Sequence, residues 1–245
     1  MKKVIFCILS MFFVLVPCAF GPAAHAASER VVLQRETGKF FPPERGVAEL
    51  SAARNGEIYF RDIRIRVAGA GEKTEIRPAE DGGYDPFLQI VSFNGESDQI
   101  FYGADSGGSG GFGFYFAYDA QGKELFSSQK FAVPYTAAYA DGFRVRVENT
   151  ETGDTVYLDL SGRDESYLSQ IYNADGTLIK PLSCDVSGAN AVSPFYLSEG
   201  RYGLEIYARV TGLYNADVVG WIIMRTSLEG GAFEPFFSVV GAYGG

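Results

Sequence analysis

Histidine and cysteine are nearly missing from this chain of 245 residues. The single histidine, His25, and two of the three cysteines, Cys7 and Cys18, lie within the first 26 residues. Those residues read as an export signal. Lys2 and Lys3 precede an apolar run, Val4–Val16, and Ala24-His25-Ala26 supplies a small-x-small site, so cleavage is expected after Ala26. A run this short, ended by Pro17, does not span a membrane. Lipid attachment at Cys18 is the alternative, disfavoured by Pro17 where a small flexible residue is wanted. With the signal removed, the remaining chain from Ala27 has no histidine and one cysteine, Cys184. That excludes an intramolecular disulfide, zinc sites built on His or Cys clusters, and a histidine-based nucleophile triad. The expected location is secreted, extracellular or cell envelope.

Basic excess is lacking as well. The net charge is −9, and loss of Lys2 and Lys3 takes it to −11. A chain this acidic repels phosphate backbones as a whole, so nucleic acid is not an expected partner. The carboxylates are dispersed, with no block of five like charges, which suits a solvated surface.

Helical periodicity is the third absence. What is present instead is β chemistry: 30 glycines, 20 Phe and 15 Tyr, with turn signals every 8–12 residues. The central stretch runs from Tyr84 to Asp119. Its strand-like runs Phe87–Phe93, Gln99–Ala104 and Phe112–Tyr118, with Glu124–Ser128 just beyond it, form one antiparallel sheet of propeller-blade length. Ser106–Gly111 is a glycine loop between strands. Earlier in the chain, Val31–Gln34 is a short strand, and Asn55-Gly56 joins Val47–Ala53 to Glu57–Val67 as a hairpin turn. Ala68–Gly83 reads as a polar loop. Later, Phe143–Glu148 and Thr155–Leu160 form a hairpin with Gly153 at its tip. Ser166–Asn173 and Thr177–Pro181 repeat that form, although Glu165–Ile171 also admits a turn or two of helix. Gly203–Val210, Val218–Ser227 and Phe233–Val240 complete the chain. Val218–Met224 is apolar throughout, and is expected to be buried on both faces. The fold class is all-β, with antiparallel meanders in a propeller-like arrangement or, as the alternative, a sandwich. One β-rich unit is expected to span 27–245.

The segment GYDPFLQIVSFNGESDQIFYGADSGGSGG (Gly83–Gly111) resembles secreted Firmicutes proteins of the VCBS or FG-GAP-like repeat group. Ser166–Gly176 and Gly212–Gly220 match patterns recurring there in the same order, so the resemblance covers about Glu57 to Gly241. It implies an extracellular, β-rich, propeller-like fold and no particular reaction. FG-GAP loops hold calcium through alternating oxygen side chains. The corresponding residues here are Asn94, Glu96 and Asp98, with Ser92 where the first carboxylate would stand; calcium is the one ion these residues suggest, and no other cofactor is implied.

Gly107-Gly108-Ser109-Gly110-Gly111 carries the letters of a serine elbow, and glycine loops also cradle phosphate. A strand follows, no lysine is near, and no histidine base remains, so a structural loop is expected. No catalytic residue is assigned. A histidine-free carbohydrate-active enzyme would need a carboxylate pair drawn from residues such as Asp62, Asp85, Asp105 and Asp119, and no spacing selects one. Asp119, Asp141 and Asp175 read as turn formers. On Phe112–Tyr118, the Phe side is expected to be core. Tyr102, Tyr115 and Tyr118 are the candidate aromatic platform for a surface glycan or protein partner. Asn215 and Asp217 read as turn caps beside Trp221. The functional expectation is a secreted, non-enzymatic β-scaffold that binds or contacts the envelope.

Overall fold

The computed structural model describes residues 29–108 and 111–243. The expected export signal, its cysteines and His25, and Ser109 of the glycine loop lie outside the described residues.

Sixteen antiparallel strands and one short helix make up the described chain. The first sheet contains β1 (Arg30–Phe41), β2 (Glu44–Asn55), β3 (Tyr59–Gly69), β4 (Glu72–Ile76), β5 (Gly83–Val91), β6 (Gln99–Asp105), β7 (Gly113–Tyr118) and β8 (Glu124–Ser127). Its order is β1-β2-β3-β5-β6-β7-β8, with β4 paired to β3. The second sheet contains β9 (Tyr135–Ala140), β10 (Arg144–Asn149), β11 (Thr155–Asp159), β12 (Ser183–Val186), β13 (Ala191–Ser198), β14 (Arg201–Thr211), β15 (Val218–Glu229) and β16 (Ala232–Ala242). Its order is β11-β10-β9-β12-β14-β15-β16, with β13 paired to β14. Helix α1 (Glu165–Leu168) lies between β11 and β12.

The all-β, antiparallel expectation holds, and the four runs read as one sheet are the consecutive neighbours β5 to β8. They continue into β3, β2 and β1, so the strands gather in two sheets of eight rather than in sets of four. The first sheet curls back on itself. The Gln34 amide on β1 donates to the Leu88 carbonyl at 2.8 Å and accepts from the Leu88 N–H at 3.0 Å, standing in for a backbone ladder between β1 and β5. The Lys39 N–H donates to the Asp98 carboxylate at 2.6 Å, and the Asp98 N–H to the Lys39 carbonyl at 3.0 Å. A glutamine side chain carries both an acceptor and donors, which is why it can replace a peptide group here.

Two cores result, and β5–β7 serve both. Leu88, Ile100, Tyr102, Phe116 and Tyr118 point into the curl against Leu50, Ile63 and Ile65. Val91, Phe101 and Ala117 point the other way, towards Ile206, Ile222 and Met224 of the second sheet. Strand side chains alternate between faces, so a strand covered on both sides is buried at successive positions, as β6 is from Gln99 to Ala104. Phe233 joins the sheets, edge-on to Phe93 and Phe126 at 5.0 and 5.8 Å.

Three local expectations change. Ala68–Gly83 contains β4, which lengthens the curl. Ser166–Pro181 is not a second hairpin: α1 takes its first part, and one bridge, Tyr172–Leu178, remains of the pairing. The phenol of Tyr167 is drawn to Asp217, and helical backbone at 165–168 delivers it there. Val218–Met224 is buried on one face only; Ile222 and Met224 are core, whereas Trp221 and Ile223 are partly exposed on the other face.

Candidate functional site

The outer face of β13–β16 carries a cluster of aromatic side chains, Phe195, Tyr207 and Trp221 partly exposed and Phe237 exposed. Register fixes its composition: Glu205 on β14 stands beside Arg225 on β15, which stands beside Phe237 on β16. One row along, Tyr207, Ile223 and Val239 align in the same way, and Trp221 follows Ile223 two residues back on that face. Phe237 is 46% exposed and Val239 45%. The Arg225 guanidinium lies over the Phe195 and Phe237 rings at 5.1 and 5.6 Å, and Phe195 packs 6.3 Å from Phe236. Tyr207 meets Trp221 edge-on at 6.5 Å.

The polar groups in this face are locked. Glu205 accepts from the Tyr207 hydroxyl at 2.6 Å and from Arg225 Nε at 2.7 Å. The Tyr207 bond, with Arg225 adding to it, holds the Glu205 carboxyl below its ordinary range, and the same bond pushes the Tyr207 phenol up. Both Glu205 oxygens are engaged, which suits an orienting acceptor rather than a free base. The face thus offers flat rings, a fixed guanidinium and a fixed carboxylate on a rigid sheet. Such a surface stacks on ring-shaped ligands and hydrogen-bonds their edges.

Beneath the other end of the second sheet lies a buried polar knot. Tyr139 donates to the Tyr167 hydroxyl at 2.9 Å, because Tyr167 spends its own proton on Asp217 Oδ2 at 2.7 Å. The Leu213 N–H also donates to that oxygen, at 2.9 Å, and Arg163 Nη1 stands 3.6 Å from Asp217 Oδ1. Arg163 Nη2 donates to the Val218 carbonyl at 2.8 Å. The Asp217 side chain is 2% exposed. Burial pushes the Tyr139 and Tyr167 phenols up. Burial and the Asp217 charge push the neighbouring Cys184 thiol up to about 12. Phenols and thiol therefore stay protonated near neutrality, and the knot ties α1 and the 212–217 turn to the sheet instead of supplying a nucleophile.

The residues singled out from sequence are placed elsewhere. Tyr102 and Tyr118 are 0% and 3% exposed inside the first curl, and Tyr115 is partly buried against the second core, stacked 6.1 Å from Phe101. They form no surface platform, because β6 and β7 are covered on both faces. Among the described residues, the exposed aromatic ones, Tyr157, Tyr196, Tyr214, Phe236, Phe237 and Tyr243, all belong to the second half of the chain. In the 94–98 loop, the Asn94 side-chain oxygen accepts from the Glu96 and Ser97 N–H groups at 2.9 and 3.0 Å, Glu96 is exposed, and Asp98 bonds the Lys39 N–H. Among the described residues, no group of three or more His, Cys, Asp or Glu side chains is placed to hold a metal ion. Asp119 and Asp175 cap turns, accepting from the Lys123 and Thr177 N–H groups at 2.8 and 3.0 Å, and Asp62 is held by Arg30 and Arg64. Asp217 does cap its turn, as read. Period-two alternation hidden inside the apolar run 218–224 was the signal for the aromatic face; nothing in the spacing brings Tyr139, Tyr167 and Asp217 together.

No helix among the described residues is long and apolar enough to cross a membrane. Residues 133–240 match the family model described as the YybI C-terminal domain, and this span holds both the aromatic face and the polar knot. Over 176 residues the chain is 29% identical to the Uncharacterized protein YybI of Bacillus subtilis (strain 168), covering 69% of this chain and 65% of that protein. The chain thus spans just under two thirds of the length of the relative it matches. A Bacillus relative accords with the Firmicutes likeness, but neither match is to a VCBS or FG-GAP repeat. Over its second sheet, then, this chain is similar to the YybI C-terminal domain.

Proposed function

We propose that the protein is an exported, non-enzymatic binding module that recognises a glycan through the outer face of β13–β16. The observation that supports this reading is the set of partly exposed rings, Phe195, Tyr207, Trp221 and Phe237, arranged around the bonded Glu205–Arg225 pair. Rings stack on the apolar faces of sugars, and the fixed carboxylate and guanidinium meet hydroxyl groups at the sugar edge. A face that served only to bury apolar surface has no need of charged groups fixed at its centre. The expected export signal places such a module in the envelope or outside the cell. Ion binding at Asn94–Asp98 has less support, since the Asn94 and Asp98 oxygens already accept backbone bonds within the protein.

Trp221 is the only tryptophan in the chain, so its fluorescence reports directly on this face. Titration with soluble chitin and peptidoglycan fragments is expected to shift Trp221 emission in wild type, and the shift is expected to be lost in Phe237→Ala. No shift with any fragment, together with a concentration-dependent dimer that Phe237→Ala abolishes, would replace this reading with self-association.

A further inference from the structure

Charge is distributed unevenly along the chain. Residues 30–78, which form β1–β4, hold ten Lys and Arg against seven Asp and Glu, a net +3; residues 79–245 hold nine against twenty-two, a net −13. Eight of the ten cations in the first segment are arginines. The acidic composition of the whole therefore conceals a cationic wall.

Register assembles that wall on the outer face of the curl. Arg35, Glu49, Arg66 and Glu75 form one cross-strand row over β1, β2, β3 and β4. Arg64 lies two residues from Arg66 on the same face, and Arg77 just beyond the end of β4, with Lys73 at that strand's other end. Three carboxylates serve this array, and two of them are shared among several arginines. Glu75 alone meets Arg66 at 3.0 Å, Arg77 at 3.0 Å and Arg64 at 3.8 Å. Asp62 is shared between Arg30 and Arg64. Glu49 meets Arg35 at 2.7 Å. Arg66 and Arg77 remain 51% and 63% exposed. Each guanidinium has five N–H donors; Arg30 and Arg64 spend several of theirs inside the wall, whereas Arg35, Arg66 and Arg77 are held by a carboxylate and keep donors open to solvent. A groove of about 430 Å³ between Val47, Ala68 and Thr74 runs beside Arg66 and Lys73.

We propose that this face is a docking site for a flexible, linear, phosphate-bearing polyanion. Guanidinium groups match phosphate oxygens in a two-pronged geometry, and a row of them matches a chain of phosphates. Same-face residues along a strand stand roughly 7 Å apart, and Arg35 and Arg66, two strands apart with Glu49 between them, stand roughly 10 Å apart, so charges spaced along one flexible polymer reach more than one arginine. The wall is the convex outside of a curl, which a flexible chain can follow and a flat bilayer touches only at its crest. Duplex nucleic acid is long and stiff, and would bring its charge against the −13 remainder. No aromatic residue of 30–78 is among the exposed large hydrophobics, so this face gives unstacked bases no platform. The site is on the opposite sheet from the glycan face and does not depend on it.

The test is binding of labelled inorganic polyphosphate to the purified protein, followed by fluorescence anisotropy across a salt series. Binding is expected to weaken with salt, and Arg66→Ala/Arg77→Ala is expected to weaken it about tenfold and lower the salt slope by about two. Glu75→Gln, which removes a charge competing for three arginines, is expected to tighten binding about threefold, an effect that a purely structural ion pair would not produce. Phe237→Ala is expected to leave it unchanged, which separates this site from the glycan face. Polyphosphate binding that the double arginine variant leaves intact would overturn the proposal, as would a protein that ignores polyphosphate, whether or not it binds phosphatidylglycerol vesicles or a short DNA duplex.

Discussion

Two pairs of buried tyrosines set the halves of the molecule apart. Tyr102 and Tyr118 sit in the core of the curl, and their hydroxyls find no partner among the described residues. Tyr139 and Tyr167 sit at the end of the second core, and their hydroxyls are linked to each other and to Asp217. All four are tyrosine, and burial raises the phenol in each. The first pair acts as bulk: large rings filling the curl, with a hydroxyl that costs desolvation and returns nothing. The second pair acts as connectors, each hydroxyl fixing a loop to the sheet. Residue type and burial alone do not distinguish them; the presence of an acceptor does.

Removing Asp217 should have the largest effect on this contrast. Asp217→Ala strands a phenol, an amide and a guanidinium at once, and is expected to lower unfolding free energy by about 3 kcal/mol in urea denaturation. Tyr167→Phe takes out the connecting hydroxyl and leaves the Asp217 oxygen one donor short, for an expected loss of about 1.5 kcal/mol. In the other half, Tyr102→Phe removes an unpartnered hydroxyl, so stability is expected to stay level or rise by about 0.5 kcal/mol. A loss of 2 kcal/mol there would show that the Tyr102 hydroxyl is bonded after all, and the contrast would fail. The smallest effect concerns pH. Glu205 is held below its ordinary carboxylate range when folded, so it stabilises the fold fully above that range, and this contribution is lost as pH falls below the range and through the lower folded-state pKa. The melting-temperature difference between wild type and Glu205→Gln is expected at pH 7 and is expected to shrink as pH is lowered below the ordinary carboxylate range. Cys184, pushed up to about 12, should meanwhile react with thiol reagents at pH 8 far more slowly than free cysteine.

Much of the fold was legible because local chemistry decides it. Gly56, at φ 85°, opens the β2–β3 turn, which takes three residues, 56–58, because Asn55 still pairs with Tyr59, and Gly153 makes the β10–β11 turn at φ 77°. These positions need a left-handed backbone, and the residues present tolerate it. Misreadings arose where one signal has two sources. An apolar run such as 218–224 can mean two covered faces or one covered face and one sticky face. Phe and Tyr alternation at 112–118 can mean core and surface or two cores. In both places the outcome depends on which other sheet arrives, and that partner is far away in sequence. Nor could spacing show that β1 comes back to β5 through Gln34, or that Tyr139, Tyr167 and Asp217 converge.

The wall shared by β5, β6 and β7 also bears on how the chain comes to be folded. Chain order places all of β1–β8 ahead of β9, and the core of the curl is drawn from those strands and the turn after β7. The reverse side of that wall, with Val91, Phe93, Phe101, Ala117 and Phe126, then stays bare until the second sheet covers it. The half-made protein is a template holding an adhesive surface, and the most hazardous interval of its life is the wait for its own C-terminal half.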